Sequence, residues 1–159
     1  RPKALRYDYK VQVPGTPNRI RQTGFSKVTT VPGPDYCIAM LLLQKRHEDA
    51  NGNITAQRVG TVVVKYGKST GGWVEDATYE IHYGNITGKS FYNAATMGLR
   101  SHDYARNSKG KSVLVKETGW APADATPTHI VLQFSSSHGG AYVGTVGNTF
   151  WVDNVGLVY

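Results

Sequence analysis

Apolar and polar residues alternate at the start of the chain: Leu5, Tyr7, Tyr9, Val11 and Val13 against Ala4, Arg6, Asp8, Lys10 and Gln12. Period-two alternation predicts a strand with one face on a core and one in water. Pro14-Gly15-Thr16-Pro17-Asn18 stops it, and Pro32-Gly33-Pro34-Asp35 is a second stop. The residues between carry only Ile20, Phe25, Val28 and Val31 as apolar anchors, which predicts a mobile surface loop. Tyr36 to Gln44 is apolar on both parities, as a central strand covered on both faces should be.

Lys45 to Gly60 reads as a hairpin turning at Asn51-Gly52, with Ile54 to Arg58 as a short returning edge strand. Thr61 to Tyr66 reads as a further strand, closed by a Gly/Ser/Thr run over 67–72. Ala77, Tyr79, Ile81 and Tyr83 alternate with polar partners, and Ser112 to Glu117 and Thr128 to Phe134 follow the same rule. In the last strand Phe150 and Val152 share one parity, and Val155, Leu157 and Tyr159 the other. A β-bulge at Asp153-Asn154 would bring all five to the inward face and leave Trp151 pointing outward. From Gly84 to Lys111 no period holds, apart from one helical turn over Ala94 to Leu99. A connection of that length in a compact domain tends to be functional, so it is a candidate binding loop. Strands in succession with turn chemistry between them predict an all-β, antiparallel β-sandwich.

The chain has 159 residues, which fits one domain over 1–159. Its single cysteine, Cys37, lies in an apolar run and reads as a buried structural thiol. The net charge is +7, but the 18 Lys and Arg residues are dispersed, which reads as a basic soluble surface and not a nucleic-acid site. An acidic polysaccharide is the next candidate for such a surface.

Three Gly-Lys-Ser segments, at 67–69, 88–90 and 110–112, lack the earlier glycine of a phosphate loop; Val62, Tyr83 and Ala105 stand there. The five histidines show no metal-ligand spacing, and no Gly-x-Ser-x-Gly elbow is present. The acids Asp8, Glu48, Asp49, Glu75, Asp76, Glu80 and Glu117 read as turn or outward positions, so no glycosidase pair separates from a solvated surface. Such a pair could still form across the fold, as between Asp103 and Glu80. Stacking on sugar rings asks for less, only exposed aromatic faces and a few polar groups. Trp73, Trp120, Tyr142 and Trp151 are the stacking candidates, with Tyr92, Arg100, His102 and Asp103 as partners from the long loop.

The ending combines Ser135-Ser136-Ser137, the glycine-rich Gly144-Thr145-Val146-Gly147-Asn148-Thr149, and Trp151-Val152-Asp153-Asn154-Val155-Gly156-Leu157-Val158-Tyr159. It resembles the C-terminus of the PCMD family, jelly-roll domains similar to carbohydrate-binding modules on Bacteroidetes surface lipoproteins. The opening Arg1 to Lys10 is also similar to that family's first strand. Gly140 and Asn154 stand where the family carries acids. The resemblance implies a jelly roll, a non-catalytic module that binds a poly- or oligosaccharide, and an extracellular place on the bacterial outer-membrane surface. It also implies no required cofactor, with Asp153 as the residue that would serve a structural calcium ion. Because Arg1-Pro2-Lys3 leads straight into a strand, the expectation is a C-terminal piece of a longer protein whose lipid anchor lies upstream. The other readings are a scaffold that docks further glycan-utilisation proteins and, behind it, a glycoside hydrolase.

Overall fold

The computed structural model describes residues 1–15 and 18–159. Thr16 and Pro17, in the first expected stop, lie outside the described residues. The chain is all-β, with twelve strands and one short helix among the described residues. Among the described residues no helix is long and apolar enough to cross a membrane.

Two compact units emerge. One comprises Arg1, Leu41–Val63 and Ile81–Leu132, and the other Pro2–Met40, Val64–Glu80 and Gln133–Tyr159. The second contains the sheet β12-β1-β6, made of β1 (Ala4–Gln12), β6 (Val74–Glu80) and β12 (Thr149–Val158), with both ladders antiparallel. The alternation read at β1 holds, since Leu5, Tyr7 and Val11 are buried. Tyr7, Tyr66 and Tyr79 join their hydroxyls in a chain of 2.5 and 2.7 Å. Tyr9, Phe134 and Phe150 pack edge-on or tilted around them. An aromatic core thus satisfies its own polar atoms.

The segment expected as a mobile loop instead forms β2 (Arg19–Arg21) and β3 (Thr29–Thr30), which join β11 (Val143–Thr145) in a second small sheet, β11-β2-β3. Strands this short show no alternation to read. Nearby, Asp35 binds the start of β4 to the serine step: it accepts the backbone N–H groups of Tyr36 and His138, each at 2.9 Å, and the Ser137 hydroxyl. Burial alone would raise the pKa of the Asp35 carboxyl, but these donors hold it below the ordinary value. Cys37 is buried as expected, its S–H donating to the Ser136 carbonyl at 3.4 Å.

The third sheet has the order β10-β4-β5-β9-β8. β4 (Cys37–Glu48) is central and buried from Cys37 to Gln44, as predicted. β5 (Ile54–Tyr66) corrects the reading of two pieces: it is one 13-residue strand lying between β4 and β9, not an edge. Gly60 does not break it. A Cβ there would stand 2.8 Å from Ile81 Cγ2 and 3.2 Å from Leu43 Cδ1, so the glycine serves close packing. The all-antiparallel expectation is also corrected, because β5 and β9 (Ser112–Trp120) run parallel. Pairing between strands so far apart in sequence leaves no trace in local periodicity.

The long segment is structured. Just before it, the strand expected over Ala77 to Tyr83 is split, β6 ending at Glu80 and β7 (His82–Tyr83) pairing with β5; the segment itself holds α1 (Ala94–Met97), capped by Asn93, whose side chain accepts from the Ala95 N–H. It closes with β8 (Asp103–Arg106), antiparallel to β9. The edge strand β10 (His129–Ser135) completes the set.

Candidate functional site

The outward face of β12-β1-β6 is built around Asp8. Between Arg6 and Asp8 the ladder to β12 slips, from Gly156 to Asp153; between Tyr7 and Tyr9 the ladder to β6 slips, from Ala77 to Val74. Each neighbour therefore inserts one residue at the same level of β1. The predicted bulge in the last strand is present, and a second one, unforeseen, faces it from β6. Asn154 and Asp76 adopt left-handed backbone there, with φ of 50° and 54°. Asn and Asp tolerate this region better than other side chains. The Asp8 carboxylate ties both bulges, accepting the Asp76 N–H at 2.7 Å and the Asn154 side-chain amide at 2.6 Å. The amide bond from Asn154 is the main cause that holds the Asp8 carboxyl below the ordinary carboxylate value. Beyond the bulge, Leu157 faces Leu5 as expected, but Val155 and Tyr159 are exposed instead of inward.

This geometry opens a cleft of about 240 Å³ lined by Asp8, Trp73, Glu75, Asp153 and Asn154. Trp73 is 50 % exposed. The Glu75 side chain makes no hydrogen bond or ion pair with any described residue. Asp153 accepts the Asn154 N–H at 2.7 Å, which caps the bulge. Two residues beyond Asp8 along β1, Lys10 stands opposite Trp151 and holds its ammonium 4.5 Å from the centre of that ring. Since Tyr9 pairs with Val74, Lys10 lies between Trp151 and Trp73. The backbones that carry the two indoles are thus about two strand spacings apart, on the order of 10 Å. Chemically, the face offers an indole for stacking and carboxylates that accept from hydroxyl or ammonium groups. Asp8, held ionised, is an acceptor and has no proton to donate at neutral pH.

The other candidates fall elsewhere. Trp120 is half-buried at the end of β9, edge-on to Tyr92, and covers the Arg58 guanidinium. Beneath it Arg58 and Glu117 form an ion pair with no exposed side-chain surface. This corrects the outward reading of Glu117. Its carboxylate also accepts from the Gln44 amide and the Arg100 N–H, both at 2.7 Å. Arg58 donates further to the carbonyls of Met97 and Gly98, at 3.3 and 3.2 Å, and so fastens the end of α1. Arg100 and Asp103 pair at 2.6 Å, and His102 is exposed between them. Tyr142 is exposed in the turn before β11, in left-handed backbone at φ 63°, and borders a hollow with Ile20 and Val146.

Of the residues singled out in the sequence, then, the structure gathers Trp73, Trp151 and Asp153 on one face and pairs Trp120 with Tyr92 and Arg100 with Asp103. Asp8, Glu75 and Asn154 were not expected in a site. Asp8 has the outward parity of Lys10, and Glu75 follows Trp73 by two residues, which is the signal that could have found them. Among the described residues no three acid, histidine or cysteine side chains converge as metal ligands. No family model matches this chain, and no curated protein or solved structure matches it.

Proposed function

We propose that this chain is a non-catalytic carbohydrate-binding module that holds a poly- or oligosaccharide on the outward face of β12-β1-β6. The observation that carries the reading is the exposed Trp73 set beside the carboxylates of Asp8, Glu75 and Asp153, with Trp151 two strands away. An indole stacks on the C–H face of a pyranose while carboxylates fix its polar substituents. The fixed backbone at Asn154 and Asp76 supports it too, because a rigid sheet face spends little entropy on ordering side chains when a ligand docks. The jelly-roll arrangement, the extracellular location and the upstream lipid anchor implied by the family resemblance belong to the same proposal. In this reading the carboxylates act on the sugar directly, with no metal between them.

The test is affinity electrophoresis against plant, fungal and host polysaccharides, with and without EDTA, and with reducing-sugar release measured in the same samples. The expected result is retardation without release, indifferent to EDTA and lost in Trp73→Ala. Retardation that survives replacement of both Trp73 and Trp151 would move the site off this face. An empty screen would replace the module with the scaffold reading, and release of reducing sugar would replace it with a glycosidase.

A further inference from the structure

Resting on the glycan-binding reading, we infer that the Trp73 cleft is a subsite for an amino sugar carrying a free ammonium group. The argument begins with charge. The chain has a net charge of +7, yet the cleft beside Trp73 is lined by three carboxyl side chains, Asp8, Glu75 and Asp153, and by no lysine or arginine. The two cations of β1 on this face are engaged elsewhere: Arg6 pairs with Asp76 at 3.3 Å, and the Lys10 ammonium sits over the Trp151 ring. The cleft is an anionic island on a cationic protein.

The acids differ in their engagement. Both Asp8 oxygens are occupied in tying the bulges, and Asp153 spends one oxygen on the Asn154 N–H. Glu75 has no partner among the described residues and follows Trp73 by two positions. An indole beside unpaired carboxylate fits a cation better than a hydroxyl. The ring attracts the cation through its π-face, and an ionised carboxylate makes a charge-assisted bond with an ammonium. A hexosamine supplies both halves, a C–H face for Trp73 and an ammonium for Glu75. A uronic acid would meet like charge in this cleft, so the basic totals of the chain do not predict its ligand. Nonspecific attraction cannot imitate the result, because a protein of +7 repels a cationic sugar at long range.

The experiment titrates the protein with glucosamine, galactosamine and mannosamine, with their N-acetyl forms and with glucuronate, at a pH where the amines are protonated. The readout is the indole Nε1–H signals in NMR spectra, with that of Trp73 assigned from Trp73→Phe. At least one amino sugar is expected to move the Trp73 signal with an affinity about tenfold tighter than its N-acetyl form, the size of one charge-assisted bond. Glu75→Gln is expected to erase that margin while the unfolding midpoint stays that of the parent, because the Glu75 side chain has no partner among the described residues. Neutral or acidic sugars binding at Trp73 as tightly as amino sugars, or a margin that survives Glu75→Gln, would overturn the inference and leave the glycan reading standing. If no sugar moves any indole signal, the inference falls, and the polysaccharide screen decides the glycan reading.

Discussion

Arg58 and Glu117 face each other across the parallel pair β5 and β9, and neither side chain has any solvent-exposed surface. Every donor around the carboxylate is directed into the fold: two nitrogens of Arg58, the Gln44 amide and the Arg100 N–H. The pair is a structural joint between two strands and the end of α1.

Glu117→Ala is therefore expected to destabilise the protein by about 3–5 kcal/mol, because it leaves the guanidinium charge buried without a counter-ion. Replacing both partners, Arg58→Met with Glu117→Leu, removes that charge and should recover part of the loss. Guanidinium chloride midpoints decide the matter, and a double variant no more stable than the single one would contradict it.

Trp120 and Trp73 should separate into stability and binding. Trp120→Ala uncovers the Arg58 guanidinium and is expected to lower the unfolding midpoint, with roughly 3–5 kcal/mol as the ceiling for a fully buried ring. Trp73→Ala, at a half-exposed ring, should leave the midpoint nearly unchanged while weakening glycan retardation by tenfold or more, as an aromatic anchor does. Paired denaturation and retardation measurements on the two variants check this, and the reverse pattern would refute it.

At Gly60 an added methyl has no room. Gly60→Ala should cost about 1–3 kcal/mol by overpacking against Ile81 and Leu43. Thermal unfolding of this variant beside Gly67→Ala, whose Cβ would meet nothing within 4 Å, supplies the control.

Asp35 gives the chain an acid-sensitive element. Its carboxyl is depressed in the folded protein, so its stabilisation is complete above the unfolded value near 3.8 and is lost as pH falls through the lower folded value. Urea midpoints measured downward from pH 7 should fall steeply below about pH 4, and Asp35→Asn should flatten that fall while lowering stability at pH 7. A variant with the parent's full acid dependence would show that the contribution lies elsewhere.

Cys37 should resist thiol reagents until the protein unfolds. Burial pushes its pKa up to about 11, so little thiolate exists at pH 8, and access is blocked as well. A chromogenic disulfide should label it at the unfolding rate, and immediate labelling in the native protein would count against this.

Much of this architecture can be read from parity. β1 and the bulge in the last strand follow from alternation, the central β4 from a run apolar on both parities, and the bulge puts Asp153 beside Asp8. Arg58 continues the inward parity of Ile54 and Ala56, and Glu117 that of Val113 and Val115; parity placed both inside, while their charge argued for water. The charge argument failed because each residue satisfies the other. Gly60 and the run at 67–72 look alike as breakers, yet one is a packing glycine and the other a turn. Neither the parallel β5–β9 ladder nor the opposed bulge in β6 leaves a local mark, so the cleft beside Trp73 could be assembled only in three dimensions.

The two bulges have a consequence for how the molecule keeps to itself in a crowded solution. β12 and β6 are the outer strands of their sheet, and each carries an irregular step with an acid beside it. An incoming strand from a second molecule would find its ladder interrupted midway and would have to bring its own backbone against Asp153 or Asp76. A slipped copy of β1 would fare no better, since a one-residue shift turns the Asp8 carboxylate into the tyrosine core. The same carboxylate that shapes the cleft therefore works against edge-to-edge aggregation.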